Sequence, residues 1–137
     1  MTIENKQKEY HSTETTVYSC QYHVVFCPKF RRPVLEEAIG ERIKEIAPAY
    51  CESLGCQIMD LEVMPEHVHM LIDIPPTYAP RNIIARLKGF LSHELRIEFP
   101  RLKSRLPSLW SRSCFISSVG AVSLEVVKRY IDNQKNR

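Results

Sequence analysis

Apolar and polar positions alternate in ways that predict four strands along the chain. Residues 18–27 are rich in β-forming side chains, and residues 57–63 alternate around the apolar positions Ile58, Leu61 and Val63. The mostly apolar run 68–74 is bounded by prolines, and residues 110–117 form a further run that ends before Gly120. Because a tight turn at Pro65–Glu66 joins the second run to the third, these two strands are predicted to form a hairpin.

Apolar residues at helical spacing predict three helices. The first begins with Pro33 in its first turn and ends near Gly55, and the second has apolar residues at helical spacing from Ile83 to Leu95 and continues up to Pro100. The third covers about 124–136 with Ser123 as N-cap. Residues 101–109 are expected to be an irregular basic loop. The order β-α-β-β-α-β-α predicts an α+β fold of the ferredoxin-like split βαβ type, an antiparallel sheet with helices packed on one face and an additional C-terminal helix.

Length and composition indicate one globular domain. Of the 137 residues, 44% are hydrophobic and 26% charged, as in soluble proteins, and no run approaches the roughly 18 apolar residues of a membrane span. Residues 1–17 lack periodicity and are predicted to be a flexible N-terminal arm before a single domain, 18–137. The five cysteines include no CxxC pair, so we expect reduced thiols and a cytoplasmic protein.

Charge is distributed unevenly along the chain. Residues 1–80 carry 7 Lys/Arg against 12 Asp/Glu, a balance of −5, whereas residues 81–137 carry 12 against 4, a balance of +8. One face of the second helix carries Arg81, Lys88 and Arg96. This asymmetry favours a second half that binds a polyanion such as nucleic acid, and the alternative is a basic helix face that is merely solvated.

Two histidines, His67 and His69, stand two positions apart on the third predicted strand. Their side chains therefore point to the same face, with Cα atoms about 6.5–7 Å apart. Two imidazoles placed in this way can bind one divalent ion. A short motif of this kind is more often a pair of polar residues beside a core, so it needs a second feature to support it.

That second feature lies on the last helix, where Tyr130 and Gln134 are four positions apart and share one face. A tyrosine hydroxyl can act as a covalent nucleophile, and a glutamine amide oxygen can complete a site begun by two histidines. The structural alternatives are that Tyr130 packs beside Val126 and Val127 and that Gln134 is a surface residue.

Taken together, these motifs resemble those of the single-tyrosine HUH transposases of small insertion sequences. The resemblance covers about residues 18–135, in the family's order. Cys114 departs from the pattern, because an aromatic residue is more usual there, and we expect this to affect packing alone. The matching segments are Tyr22–Leu35 for the first strand and basic turn, Met64–His69 for the metal strand, Leu109–Ile116 with Ser118–Gly120 for the last strand, and Tyr130–Ile131 with Gln134 for the nucleophile helix.

The resemblance implies an enzyme that cleaves and rejoins single-stranded DNA at insertion-sequence ends. Tyr130 would attack the scissile phosphorus and form a 5′-phosphotyrosine intermediate, leaving a free 3′ hydroxyl, without ATP or a nucleotide cofactor. His67, His69 and Gln134 would hold Mg²⁺ or Mn²⁺, of which imidazole ligands suit Mn²⁺ better. Two alternatives stay open: a domesticated relative that processes palindromes, and a non-catalytic ferredoxin-like module that binds nucleic acid.

The resemblance also implies a homodimer that recognises single-stranded DNA with hairpin ends. In the family the last helix can dock on the partner subunit, so Tyr130 of one chain would meet His67 and His69 of the other. Docking within one chain is the alternative, and the sequence does not decide between them. The candidate phosphate contacts are Arg86, Lys88, Arg96, Arg101, Lys103 and Arg105, with a second patch of Lys29, Arg31 and Arg32.

Overall fold

The computed structural model describes residues 11–12, 14–119 and 124–134 of the chain. Within these residues, a four-stranded antiparallel sheet follows a short two-stranded one. The larger sheet has the order β4-β5-β3-β6, in which β5 lies between β3 and β4. This is the predicted ferredoxin-like split βαβ arrangement. The strands are β1 (His11–Ser12), β2 (Val17–Tyr18), β3 (Gln21–Phe26), β4 (Gln57–Met64), β5 (His67–Asp73) and β6 (Phe115–Ser118).

The described helices are α1 (Glu37–Ser53), α2 (Pro80–Glu98), the short α3 (Arg101–Arg105) and α4 (Leu124–Asn133). The predicted start of the first helix was wrong. Its first turn does not contain Pro33, because Lys29–Arg31 form a 3-10 turn and the following chain stays extended, with the Leu35 amide donating to the Pro65 carbonyl at 3.0 Å. No helix in the described part of the chain is long and apolar enough to cross a membrane.

The hydrophobic core lies between one face of the larger sheet and the long helices α1 and α2. Side chains such as Ile39 and Ile43 of α1 and Leu87 and Leu91 of α2 are fully buried in it. Because strand side chains alternate between faces, every second residue of β3 and β5 joins this core. The strand residues that do so are Val24, Phe26, Val68, Met70 and Ile72.

Three local predictions differ from the structure. The expected loop 101–109 contains α3, since Leu102 is buried and draws this turn against the core. The last strand was expected at 110–117 but its ladder begins at Phe115, and Trp110 makes only an isolated bridge to Pro28. Part of the predicted N-terminal arm forms the β1–β2 pair, and His11 contacts the Asp73 carboxylate at 2.7 Å. The predicted N-cap Ser123, Gly120 and arm residues 1–10 lie outside the described residues.

Candidate active site

Strand β5 carries His67 and His69 on the sheet face opposite the core. Their neighbours Val68 and Met70 are buried against the helices, so the strand alternation turns both imidazoles to the other side. His67 Nδ1 lies 2.8 Å from the Glu66 carboxylate, and the histidine side chain is 15% exposed. With Nδ1 donating to Glu66, the Nε2 lone pair of His67 is available to a metal ion.

His69 lies beside a third histidine, His23 of β3, with 5.7 Å between the ring centroids. Burial lowers the pKa of His69, because it disfavours the charged imidazolium, and the proximity of His23 lowers it further. His69 is therefore a neutral imidazole at pH 7, the form that ligates metals. His23 was not predicted from the sequence, because its approach to His69 depends on the pairing register of β3 with β5.

Helix α4 rests on residues Ser111–Phe115, which we call the docking segment. The Tyr130 hydroxyl forms a 2.9 Å hydrogen bond with the Ser113 hydroxyl, and the Tyr130 and Phe115 rings are 5.3 Å apart. Gln134 is only 4% exposed, and its Oε1 accepts a long hydrogen bond of 3.5 Å from the Ser111 hydroxyl. The predicted common face of Tyr130 and Gln134 is confirmed, since both contact the same segment.

Arg31 holds the end of α4. Its guanidinium donates to the Ile131 carbonyl at 3.0 Å and lies 3.4 Å from the Asp132 carboxylate. Phe30 and Arg31 both have left-handed backbone angles, with φ of 59° and 51°, which is strained for residues other than glycine. The basic turn was expected to contact phosphate, and in the structure its Arg31 anchors α4. Helix α4 thus contacts its own chain.

The histidine pair and Phe115, the last residue of the docking segment, share one face of the sheet. Val25 of β3 pairs with His69 of β5 on one side and with Phe115 of β6 on the other. Since neighbouring strands are about 4.8 Å apart, the Cα atoms of His69 and Phe115 are about 10 Å apart. The contact of Tyr130 with Phe115 thus places α4 on the same sheet face as the histidines, with β3 between β5 and β6.

The donor groups suit a divalent ion with mixed nitrogen and oxygen ligands. In the described residues no group of three or more His, Cys, Asp or Glu side chains forms a metal site. A site built on His67 and His69 therefore needs a different third protein ligand, and the buried amide of Gln134 is the candidate. Two imidazoles and an amide oxygen, completed by water or phosphate, are compatible with Mn²⁺ or Mg²⁺.

Lys88 does not have the position expected of an exposed phosphate contact. Its ammonium group donates to the carbonyls of Ser111 and Ser113 at 2.8 and 3.0 Å and lies 5.8 Å from the centre of the Phe26 ring. Burial lowers its pKa, because it penalises the charged form. The helical spacing predicted an exposed Lys88. In the structure its long side chain instead reaches inward to carbonyl groups that lie outside the sheet ladder.

The other basic candidates differ in their surroundings. Arg101 and Arg105 both pair with the Glu36 carboxylate, at 2.8 and 3.4 Å, so part of their charge is already neutralised. The remaining candidates are Arg32, Arg86 and Lys103, which are exposed, and Lys29 and Arg96, which are half-buried. The three exposed residues, Arg32, Arg86 and Lys103, are the best candidates to bind phosphate. This role stays a prediction.

The chain has a ferredoxin-like fold, with two histidines on a central strand and a tyrosine on the last described helix. The chain belongs to the IS200-like transposase family, whose model, described as "Transposase IS200 like", matches residues 16–134. The protein is accordingly a transposase of this family.

Relatives and solved structures agree with this assignment. The chain is 30% identical over 123 residues to the ISDra2 transposase TnpA of Deinococcus radiodurans, covering 88% of each protein. It is 31% identical over 121 residues to the IS200 transposase of Salmonella typhimurium, covering 87% of this chain and 79% of the relative. A crystal structure of a candidate transposase from Deinococcus radiodurans has a TM-score of 0.84 at 28% identity, covering 90% of this chain and 97% of that one.

A more distant structure shows the same fold. It is a REP-associated tyrosine transposase bound to a REP hairpin, with a TM-score of 0.55 at 13% identity, covering 89% of this chain and 68% of that one. At this identity the likeness concerns the fold alone.

Proposed function

We propose that this transposase cleaves and rejoins single-stranded DNA at insertion-sequence ends through a 5′-phosphotyrosine intermediate at Tyr130. The observation that carries the proposal is the common sheet face shared by the histidine pair and Phe115, whose ring contacts Tyr130. Membership of the transposase family supports DNA as the substrate.

In the proposed reaction, the Tyr130 oxygen forms a bond to the scissile phosphorus while the phosphorus–O3′ bond breaks. The tyrosine loses its proton and the leaving strand gains one, so it departs as a free 3′ hydroxyl. Because the phosphate ester is exchanged rather than hydrolysed, the reverse step can join a new 3′ end without an energy source. Ser113, which shares a hydrogen bond with the Tyr130 hydroxyl, orients the attacking oxygen.

The residues that would hold a divalent ion are His67, His69 and Gln134. When bound, Mg²⁺ or Mn²⁺ polarises the phosphate and stabilises charge that develops on the leaving oxygen. The chain contributes a neutral His69, which can ligate without first losing a proton, and a His67 whose ring is oriented by Glu66.

We propose a homodimer acting on DNA with hairpin ends, and a REP hairpin is the ligand of one protein with this fold. In the single chain described, α4 contacts its own docking segment and Arg31. Sharing of Tyr130 between subunits stays a prediction, tested below by mixing.

The experiment is a covalent trapping assay. The protein is incubated with Mn²⁺ and a labelled single-stranded oligonucleotide carrying the sequence that flanks its gene, and the products are separated on a denaturing gel. We expect an adduct with the wild type and none with Tyr130→Phe, which keeps the ring contact with Phe115 but lacks the hydroxyl. Tyr50→Phe is the matched control, because Tyr50 stacks on Phe90 away from the site. An adduct of normal yield with Tyr130→Phe would refute the assignment.

A further inference from the structure

The docking segment lacks the support that a sheet normally gives. Its residues before Phe115 lie outside the β6 ladder, so the carbonyls of Ser111 and Ser113 have no strand partner in the described residues. The start of the segment is fixed, because the Ser111 amide donates to the Cys27 carbonyl at 2.9 Å and Trp110 packs edge-on against Phe26. What holds the segment beyond this point is a side chain from a helix.

That side chain is Lys88, whose ammonium group donates to the carbonyls of both Ser111 and Ser113. The same helix is tied to the start of the segment a second time, since the Trp110 indole donates to the Lys88 carbonyl at 3.0 Å. Two of the three ammonium protons are therefore used within the protein. Charged donors make the strongest hydrogen bonds, so Lys88 fixes both carbonyls more firmly than a neutral donor would.

The two serines whose carbonyls bind Lys88 are also the two whose hydroxyls meet α4. Ser113 contacts the Tyr130 hydroxyl and Ser111 contacts the Gln134 amide oxygen. We infer that Lys88 is a positioning residue for the reaction, which sets the docking segment and, through its two serines, the nucleophile and the candidate third metal ligand. This inference rests on the proposed function, because Lys88 can position Tyr130 for a reaction only if Tyr130 is the nucleophile.

The test compares Lys88→Met, Ser113→Ala and their double variant. We expect Lys88→Met to lower the single-turnover rate of adduct formation by about 100-fold, the cost typical of a displacement of about 1 Å. The Kd for the oligonucleotide should change less than about twofold, because two of the three ammonium protons are already donated within the protein. The double variant should react no more slowly than the slower single variant, because Lys88 acts on Tyr130 through Ser113 and the two contacts lie in series. Lys88→Arg, which keeps a buried cationic donor, should recover part of the rate.

A readout independent of activity is hydrogen exchange of the α4 amides 128–134, which should be faster in Lys88→Met than in the wild type. Lys44→Met is the matched control, since Lys44 is exposed and its nearest ion pair, with Glu41, is 3.9 Å away. If Lys88→Met does not fold, Lys88→Gln, which places a neutral donor at the same position, is compared with the wild type by the same two measurements.

Wild-type rates and wild-type α4 exchange in the folded variants would overturn the positioning role and leave the proposed function intact. By contrast, an adduct with Tyr130→Phe would overturn the proposed function, while the exchange data would still report on the docking segment. Additive rate effects in the double variant would also count against a shared contact, because they would mean that Lys88 and Ser113 act separately.

Discussion

The Glu66 carboxylate should set how tightly His67 binds a metal ion. It lies 2.8 Å from His67 Nδ1 and comes from the neighbouring residue in the turn between β4 and β5. Outer carboxylates that hold a ligating histidine in this way change metal affinity by about 10- to 100-fold, which is about 1.4–2.8 kcal/mol. Since the Glu66 side chain is 31% exposed, solvent screens its charge. Removing the charge alone should therefore reduce the metal affinity by an amount near the lower limit of this range.

We therefore expect Glu66→Gln, which keeps an acceptor but loses the charge, to weaken Mn²⁺ binding about 10-fold. Glu66→Ala loses both and should weaken it by closer to 100-fold. The measurement is Mn²⁺ affinity by calorimetry, together with the Mn²⁺ concentration that gives half the maximal adduct rate. The maximal rate at saturating metal should stay near that of the wild type, because Glu66 acts on binding.

Glu94→Gln is the matched control, because Glu94 also adjoins a histidine, but its carboxylate is 3.9 Å from His93 and that histidine is 75% exposed. This change should leave Mn²⁺ affinity unaltered. Equal affinity for all four proteins would show that Glu66 does not orient a metal ligand. A rate that fell at saturating Mn²⁺ would instead mean that Glu66 contributes to the chemical step.

Three further outcomes are expected. Arg86→Ala combined with Lys103→Ala should flatten the dependence of DNA affinity on salt by about two units of slope, one for each lost phosphate contact, and an unchanged slope would place the DNA elsewhere. Folding lowers the pKa of His69, so as the pH falls the unfolded chain takes up a proton at a higher pH than the folded chain does. The free energy of unfolding should therefore fall as pH drops below about 6.5. His69→Gln should remove that part of the pH dependence in thermal melts. Mixing Tyr130→Phe with His67→Ala under conditions of subunit exchange should restore cleavage only if sites are shared between subunits, and continued inactivity with exchange confirmed would establish docking within one chain.

The fold could be predicted because its strongest signals are local. The period of two in β5 decides that His67 and His69 share a face, and the spacing of four decides the same for Tyr130 and Gln134. These relations need no knowledge of the rest of the chain. For the same reason, the order of strands and helices was sufficient to predict the split βαβ sheet.

What the sequence could not reveal depends on contacts between distant segments. His23 approaches His69 only because of the register between β3 and β5, and a shift by one residue would turn it to the other face. Lys88 was expected among the exposed cations. In the structure its ammonium group donates to two carbonyls that lie outside the sheet ladder and more than twenty residues away in the sequence. Glu66 was predicted as a turn residue, and its role as a partner of His67 becomes visible only in three dimensions.

The left-handed turn at Phe30 and Arg31 stores backbone strain next to the helix that Arg31 holds. Angles of this kind cost of order 1–3 kcal/mol for each residue that is not glycine. The chain therefore accepts a local cost at the turn from which the Arg31 side chain reaches the Ile131 carbonyl. A glycine at either position would adopt the same angles without that cost, but a glycine at position 31 would also lose the guanidinium that holds α4.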